Sequence, residues 1–351
     1  SYNSIMVAAI APALIYYAYL MLAVQLRASN MGLDARASAE LDQVVDLKAA
    51  AARQWHLLIS IATLVWLLVT GTPAGTAALI AVLMVLGLDA IVTIARGRGN
   101  GASFIEAGSR ILNGIAEGAR AGAMVATVIA VIGVLIEVLT VTGFAQKLSF
   151  AMLDLSDGSL FTLSIVVAAS CLVFGLGLPT SASYFIVALF GAPALVELGV
   201  PLLAAHMFVF YFANLSAVTP PVAVAALVGA NIAKASFWGT SFEAVRLALP
   251  GFLLPFLFLF EPEILGIGKG FGAQLLAIAQ ALLATAALNF ALEGRIFNRV
   301  SVIERVILAA AALGLLYWVT WLEIVSAVAI IAMIAWSWLQ AKRDVTIKAP
   351  S

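Results

Sequence analysis

Gly175-Leu-Gly-Leu-Pro-Thr-Ser-Ala-Ser183 and Ser216-Ala-Val-Thr-Pro-Pro221 interrupt the stretch from about Phe161 to Lys234, which is otherwise apolar enough to form membrane helices. Proline removes a backbone donor and clashes with the preceding turn, and glycine gives up helix propensity, so each break exposes carbonyls and amides. Lipid cannot satisfy such groups. Unwound backbone at membrane depth is expected only where protein buries it or where it lines a wet cavity, which makes both breaks candidate ligand sites.

Outward from these breaks, the composition fits a chain that lives in lipid. Of 351 residues, 64% are hydrophobic and 10% charged, with mean hydropathy +1.11, which points to an all-α integral membrane protein. A net charge of zero, without basic clusters interleaved with aromatics, gives no sign of nucleic-acid binding. One cysteine, Cys171, excludes an internal disulfide and a multi-cysteine metal centre, and two histidines, His56 and His206, are too few for a His-rich one. The opening Ser1-Tyr-Asn-Ser-Ile has neither an initiator Met nor a signal-peptide pattern, as expected of a piece of a longer protein.

Apolar segments fall near 5–24, 55–69, 74–95, 119–144, 160–174, 180–196, 202–233, 244–260 and 271–292, with a last block over 302–339. That block is too long for one span, and Thr320-Trp-Leu-Glu323 divides it into two short helices. Gly71-Thr-Pro73 predicts a tight turn between the second and third segments. Residues 96–120 mix Phe104, Ile105, Ile111, Leu112 and Ile115 with Glu106, Arg110, Asn113, Glu117 and Arg120, the pattern of an amphipathic helix lying in the interface plane. Gly114, Gly118 and Gly122 recur every four residues, which predicts close packing of another backbone. Most of the tryptophans sit towards span ends as interface anchors.

Charge selects the topology, because Lys and Arg concentrate on the cytoplasmic side of short loops. If 160–196 enters from outside, turns at Gly175 to Ser183 and leaves outside, all of the 18 basic residues except Lys147 and Lys269 are cytoplasmic, and so is the C-terminus. Two full spans would keep the same parity, but arms of about 15 and 17 residues reach only roughly 23 to 26 Å, short of a core roughly 30 Å thick. The expected architecture is therefore about nine transmembrane helices, one re-entrant helical hairpin and one broken helix. Residues 1–53 form a last helix of a first repeat with its linker, 54–262 a second repeat, and 263–351 a C-terminal helical extension.

At the hairpin tip, the first arm ends in free carbonyls and the second begins with free amides, where Thr180 or Ser181 can cap the new helix. Carbonyls and hydroxyls suit a hard cation such as Na⁺, and a positive helix end suits an anionic substrate. In the second break, Thr219 brings a hydroxyl, Pro220 and Pro221 free carbonyls one turn earlier, and Asn214 and Ser216 add oxygens.

Gly175-Leu-Gly-Leu-Pro-Thr-Ser-Ala, Ala192-Pro-Ala-Leu, Ala205-His-Met-Phe-Val-Phe-Tyr-Phe212, Leu215-Ser-Ala-Val-Thr-Pro-Pro-Val-Ala223 and Pro255-Phe resemble the large membrane subunit of TRAP transporters. The match is closest to the TAXI branch, in which small and large membrane subunits are fused, and it covers roughly 1–262. The resemblance implies an elevator-type carrier of two inverted repeats in the bacterial inner membrane, importing small organic acids on a cation gradient. A periplasmic substrate-binding protein would deliver the ligand, and the small-subunit helices and first hairpin would lie upstream in the same chain. It further implies a substrate or cation role for Gly175, Gly177, Leu178, Pro179, Thr180 and Ser181, and for Ser216, Val218, Thr219, Pro220 and Pro221. Na⁺ is the expected coupling ion, held around Gly175, Thr180, Ser216 and Thr219, with no organic cofactor. Only one hairpin and one Pro-Pro break are present, whereas the family has a second pair in its first repeat.

Proton coupling is the alternative, with Glu137 deep in the fourth span and His206 in the broken one as carriers. Thr140 and Thr142 offer Glu137 internal hydrogen bonds instead, and Cys171 in an apolar arm reads as packing. Two other classes remain open. A scaffold remnant lacking the first repeat would share every motif above. An intramembrane enzyme would need a nucleophile with a base or paired acids at depth, yet Asp89 near a span end is the only Asp in the spans and the tip carries no acid.

Overall fold

The computed structural model describes residues 2–32, 47–97, 99–315 and 320–348. Among these, every regular element is helical apart from an isolated bridge between Arg295 and Arg299. The chain divides into two compact units, one formed by Ser1–Val7 with Ala35–Val131 and the other by Ala8–Asp34 with Ile132–Ser351.

Helix α1 (Tyr2–Asn30) is followed by α2 (Leu47–Val69), whose helical path breaks at Gln54 with φ −119° and ψ 18°, next to the Trp55 that opens its apolar run. Gly71 takes φ +89° and Pro73 caps α3 (Ala74–Arg96), giving the helical hairpin that Gly71-Thr-Pro73 predicts. Helix α4 (Gly101–Val141) then runs for 41 residues without a break. This corrects the expectation of a separate interfacial helix before the fourth span: the amphipathic and the apolar stretches are successive parts of one helix, since no proline or capping signal divides them. The glycine repeat also departs from its reading. A Cβ at Gly118 or Gly122 would meet nothing within 4 Å, and one at Gly114 would touch only Leu86, so no backbone approaches there among the described residues.

Helix α5 (Phe144–Ser156) occupies what the sequence presents as an outer loop. Gly143 at φ +65° and Asp157 at φ +48° delimit it, and Ala145, Met152 and Ser156 face inward at helical spacing. The hairpin follows as α6 (Leu160–Phe174), then α7 (Thr180–Ala188) and α8 (Gly191–Glu197), the last two bent by 43°. Pro193 explains the bend. It cannot donate to the carbonyl of Leu189, four residues back, and its ring crowds that carbonyl, so the helix breaks at Leu189 and Phe190. At 1.5 Å per residue α6 spans roughly 22 Å, and the bend shortens the second arm's reach to roughly 25 Å.

The broken span is α9 (Leu202–Leu215), a 3₁₀ turn at Ser216–Val218, and α10 (Val224–Ala233). Helix α11 (Phe237–Phe260) begins seven residues before its apolar run because the Ser236 hydroxyl accepts the amide of Gly239 and caps it. Helices α12 (Phe271–Glu293), α13 (Val302–Gly314) and α14 (Thr320–Lys348) complete the chain. A capping box between Ser301 and Glu304 starts α13, which ends at Gly314, and Thr320–Glu323 forms the first turn of α14 instead of dividing two helices. By length and composition, α1, α3, α4, α11, α12 and the Trp321–Arg343 part of α14 can each cross a membrane, and α7 with α8 would make a seventh; Gln54–Val69, Leu160–Phe174, Leu202–Val218 and Val224–Ala233 are shorter apolar helices.

In the larger unit, α6, α7, α8, α9 and α11 share one core. Leu163, Val167, Phe208 and Leu254 have no exposed surface, and neither has Cys171, as expected of a packing thiol. Rings interleave at its centre, with Phe208 4.9 Å from Phe212 and 5.4 Å from Phe256 between centroids. Helix α12 is fastened into the same unit by polar groups. The amide of Asn289 donates to the Tyr19 carbonyl at 3.0 Å, and that of Asn30 donates to the Glu293 carbonyl at 2.8 Å. Arg27 and Arg246 alternate with Glu243 and the buried Glu293, at distances from 2.9 to 3.9 Å. These arginines, with Arg305 donating to the Ala291 carbonyl at 2.7 Å, set positive charge on the carbonyl end of α12.

Candidate functional site

Phe174 ends α6 because Gly175 caps it, its amide returning to Cys171 and Val173. Gly177 takes φ +75°, the left-handed conformation that a residue with a side chain rarely adopts, and the chain turns there. Pro179 then caps α7 with φ −56° and no side-chain hydrogen bond. This corrects the capping role expected of Thr180 or Ser181: both already lie inside the helix, Thr180 half-buried and Ser181 exposed. The first amides of α7 therefore keep no side-chain acceptor, and Ser183, one turn in, is buried with no hydrogen-bond partner for its hydroxyl.

In the second break, Ser216 to Val218 tighten into a 3₁₀ turn, Pro220-Pro221 is a cis peptide, and Ala223 at φ +38° begins the return to α10. The Thr219 hydroxyl donates to the Leu215 carbonyl at 2.8 Å, taking the place of the Thr219 amide, which bonds the Ser216 carbonyl at 3.1 Å. With its proton committed, the Thr219 oxygen turns its lone pairs elsewhere. Asn214 donates to the Phe210 carbonyl at 2.7 Å.

The two breaks meet. The Ser216 hydroxyl lies 2.6 Å from the Ala213 carbonyl and 3.3 Å from that of Gly175, bridging a separation of 41 residues. A Cβ at Gly175 would overlap the Ser216 side chain, so glycine is required for the approach. Farther up the hairpin, Tyr184 Oη and His206 Nδ1 lie 3.0 Å apart and fasten the hairpin to the broken span a second time.

This contact spends some oxygens and leaves others. The Gly175 carbonyl receives the Ser216 hydroxyl and, at 3.4 Å, the Leu178 amide, and the Ser216 carbonyl receives the Thr219 amide. Among the described residues the carbonyls of Leu176, Gly177 and Leu178 on one side, and of Ala217 and Val218 on the other, accept no hydrogen bond. Pro220 and Pro221 account for the second set, having no N–H to offer one turn on. Neutral oxygens on two facing turns beside the amide end of a helix suit a hard cation together with an anionic group.

Glu137 is not drawn into this arrangement. It is exposed on α4, and the hydroxyls expected beside it turn inward, Thr140 donating to the Ile136 carbonyl at 2.8 Å and Thr142 to that of Val138 at 2.7 Å. The Tyr184–His206 bond and the bend before α8 escaped the reading of the breaks, although Pro193 in Ala192-Pro-Ala-Leu carried the signal for the bend. No cluster of His, Cys, Asp or Glu that could hold a metal ion occurs among the described residues.

No curated protein and no protein of solved structure gives a significant match to the chain. A family profile described as the tripartite ATP-independent periplasmic transporter, DctM component, matches residues 1–264, which contain both breaks and the helices that carry them. The chain therefore belongs to the DctM family, the large membrane component of TRAP transporters.

Proposed function

We propose that this chain is the permease part of a cation-coupled secondary transporter that imports small organic acids in the bacterial inner membrane. Membership of a transporter family implies a periplasmic binding protein and a small membrane subunit as partners. The TAXI type of binding protein, with the small-subunit helices upstream in the same chain, is the form proposed for them, and an elevator movement of the hairpin with the broken span is the proposed transport step. The observation that carries the reading is the meeting of the two breaks at Gly175 and Ser216. It gathers unbonded carbonyls, the Thr219 hydroxyl and the amide end of α7 in a chain that otherwise offers lipid-compatible surface. Na⁺ is favoured over a proton as the coupling ion because these oxygens are neutral and do not titrate, whereas a proton needs a group such as Glu137 or His206.

The test is uptake by the full-length permease, reconstituted with its binding protein, under separately imposed Na⁺ and pH gradients. Thr219→Val should raise the half-saturating Na⁺ concentration about tenfold, the equivalent of about 1.4 kcal/mol, while leaving the thermal unfolding profile in place. Uptake indifferent to Na⁺, driven by a pH gradient and lost in Glu137→Gln or His206→Ala would replace Na⁺ by H⁺. Absence of uptake under either gradient would favour a scaffold role.

A further inference from the structure

The turn between α12 and α13 holds two arginines in a position that electrostatics alone does not favour. The Val300 amide donates to the Gly294 carbonyl at 3.0 Å and the Ile296 amide to the Asn298 carbonyl at 3.1 Å, which makes Arg295 and Arg299 directly opposed members of an antiparallel bridge. In this non-hydrogen-bonded kind of pair the Cα atoms approach to about 4.5 Å and both side chains leave on the same face. Like charges so placed destabilise the pair. No carboxylate lies within ion-pair distance of either arginine among the described residues; Arg295 donates only to the Ser29 carbonyl, at 3.4 Å, and Arg299 is exposed. The neighbouring acids are engaged elsewhere, Glu293 with Arg27 and Arg246, and Glu304 in the capping box of α13.

A second feature fixes where this pair stands. The Ser337 hydroxyl, buried in α14, accepts the amides of Phe297 at 3.2 Å and Asn298 at 3.3 Å, pinning the tip of the turn against that helix. Ser337 lies five residues, roughly 7 Å, before Lys342, at the charged end of an apolar span, with Trp336 and Trp338 beside it. Exposed tryptophans at the end of an apolar helix mark the headgroup level of a bilayer, and Phe297 is exposed at the same tip.

We infer that the paired guanidiniums of Arg295 and Arg299 bind the phosphate of an anionic phospholipid headgroup, in the leaflet that this end of α12, α13 and α14 meets. A phosphodiester between the two forks would accept hydrogen bonds from both and remove their mutual repulsion. Phe297 and Trp338 would flank the glycerol and upper acyl region, and Lys342 with Arg343 adds to the attraction for an anionic leaflet. This role belongs to residues beyond 264, where the family match ends, and does not depend on how the permease is coupled.

Thermal unfolding of the purified full chain in a neutral detergent tests it, with short-chain phosphatidylglycerol, phosphatidylcholine of the same chain length, or inorganic phosphate added separately. Phosphatidylglycerol should raise the midpoint by several degrees, and the other two should not. Arg299→Gln, at an exposed position that leaves the fold undisturbed, should lose at least half of that shift, and Arg295→Gln with Arg299→Gln all of it. Without lipid both variants should unfold at or above the parent midpoint, because the repulsion is gone, a sign opposite to that of a damaged fold. A phosphatidylglycerol shift that survives in the double variant, or an equal shift with phosphatidylcholine, would overturn the inference. Inorganic phosphate reproducing the shift would overturn it in favour of a soluble anion.

Discussion

The two compact units of this chain are held together differently. In Ser1–Val7 with Ala35–Val131, the buried side chains among the described residues are small or polar, such as Ala77, Ala81, Ser60, Thr93 and Ser103, while Leu58, Trp66, Leu83 and Leu112 are exposed. Its specific bonds are polar. Buried His56 lies 3.5 Å from one oxygen of Asp89, Arg110 lies 3.5 Å from the other, and Arg110 donates to the Thr93 hydroxyl at 2.9 Å. In Ala8–Asp34 with Ile132–Ser351, large side chains such as Ile15, Phe190, Phe208 and Phe258 are fully buried. Lipid is as good a solvent for leucine as a protein interior, so apolar area does little to hold membrane helices together, and close packing or polar contacts must do it. One unit relies on the second of these, the other mainly on the first.

The largest expected effect tests the packed unit. Phe208→Ala should cost about 3 to 5 kcal/mol, against less than about 0.5 kcal/mol for Leu83→Ala on an exposed face; equal losses in unfolding of the detergent-solubilised protein would erase the contrast. Next is the meeting of the breaks. Gly175→Ala should cost about 1 to 3 kcal/mol through overlap with Ser216 and with the Cys171 carbonyl, and Ser216→Gly should recover the Ser216 part of it in the double variant. Additive losses would mean that the two residues do not constrain each other. For the polar unit, Asp89→Asn and Arg110→Gln should show a coupling of about 0.5 to 1 kcal/mol in a double-mutant cycle that weakens in high salt. A coupling of zero would leave its helices without the polar tie assigned to them.

The smallest effect concerns pH. Burial raises the Glu261 carboxyl above its usual 4.5, the neighbouring Glu263 and Glu323 carboxylates add to this, and Lys269 opposes it. Folded Glu261 therefore keeps its proton to a higher pH than the unfolded chain does. Its contribution to stability is full below pH 4.5 and is lost as pH rises from there through the raised value. Glu261→Gln should flatten the decline in unfolding midpoint over that window. An unchanged decline would assign it to another group.

Legibility in the sequence followed how local the cause was. Gly175, Pro179 and Pro220-Pro221 act on their own turns, so the hairpin and broken span could be read from residue chemistry, and Gly71-Thr-Pro73 gave the α2–α3 turn for the same reason. Helix α5 was hidden because it lies between the apolar segments 119–144 and 160–174 and carries Lys147, which reads as a loop charge, while its inward face of Ala145 and Met152 is too short a pattern to stand out. The unbroken course of α4 was hidden because a change of polarity along a helix is not a break in it. At the site, the chemistry of the breaks was visible but their meeting was not: Ser216 and Gly175 are 41 residues apart, and nothing in either segment encodes the other's position. The proline cap of α7 went unseen because hydroxyl residues follow it and suggest capping by themselves.

The bonds between Asn289 and Tyr19, and between Asn30 and Glu293, join positions 270 and 263 residues apart. At synthesis rates of roughly 5 to 20 residues per second, α1 waits roughly 13 to 54 seconds after it is made before its partners on α12 exist. Throughout that interval Arg27 and Asn30 lack Glu293, and the Tyr19 carbonyl lacks Asn289. Helix α1 is thus made long before the polar contacts that tie it to α12 can form, and until then its residence in the membrane rests mainly on its apolar surface.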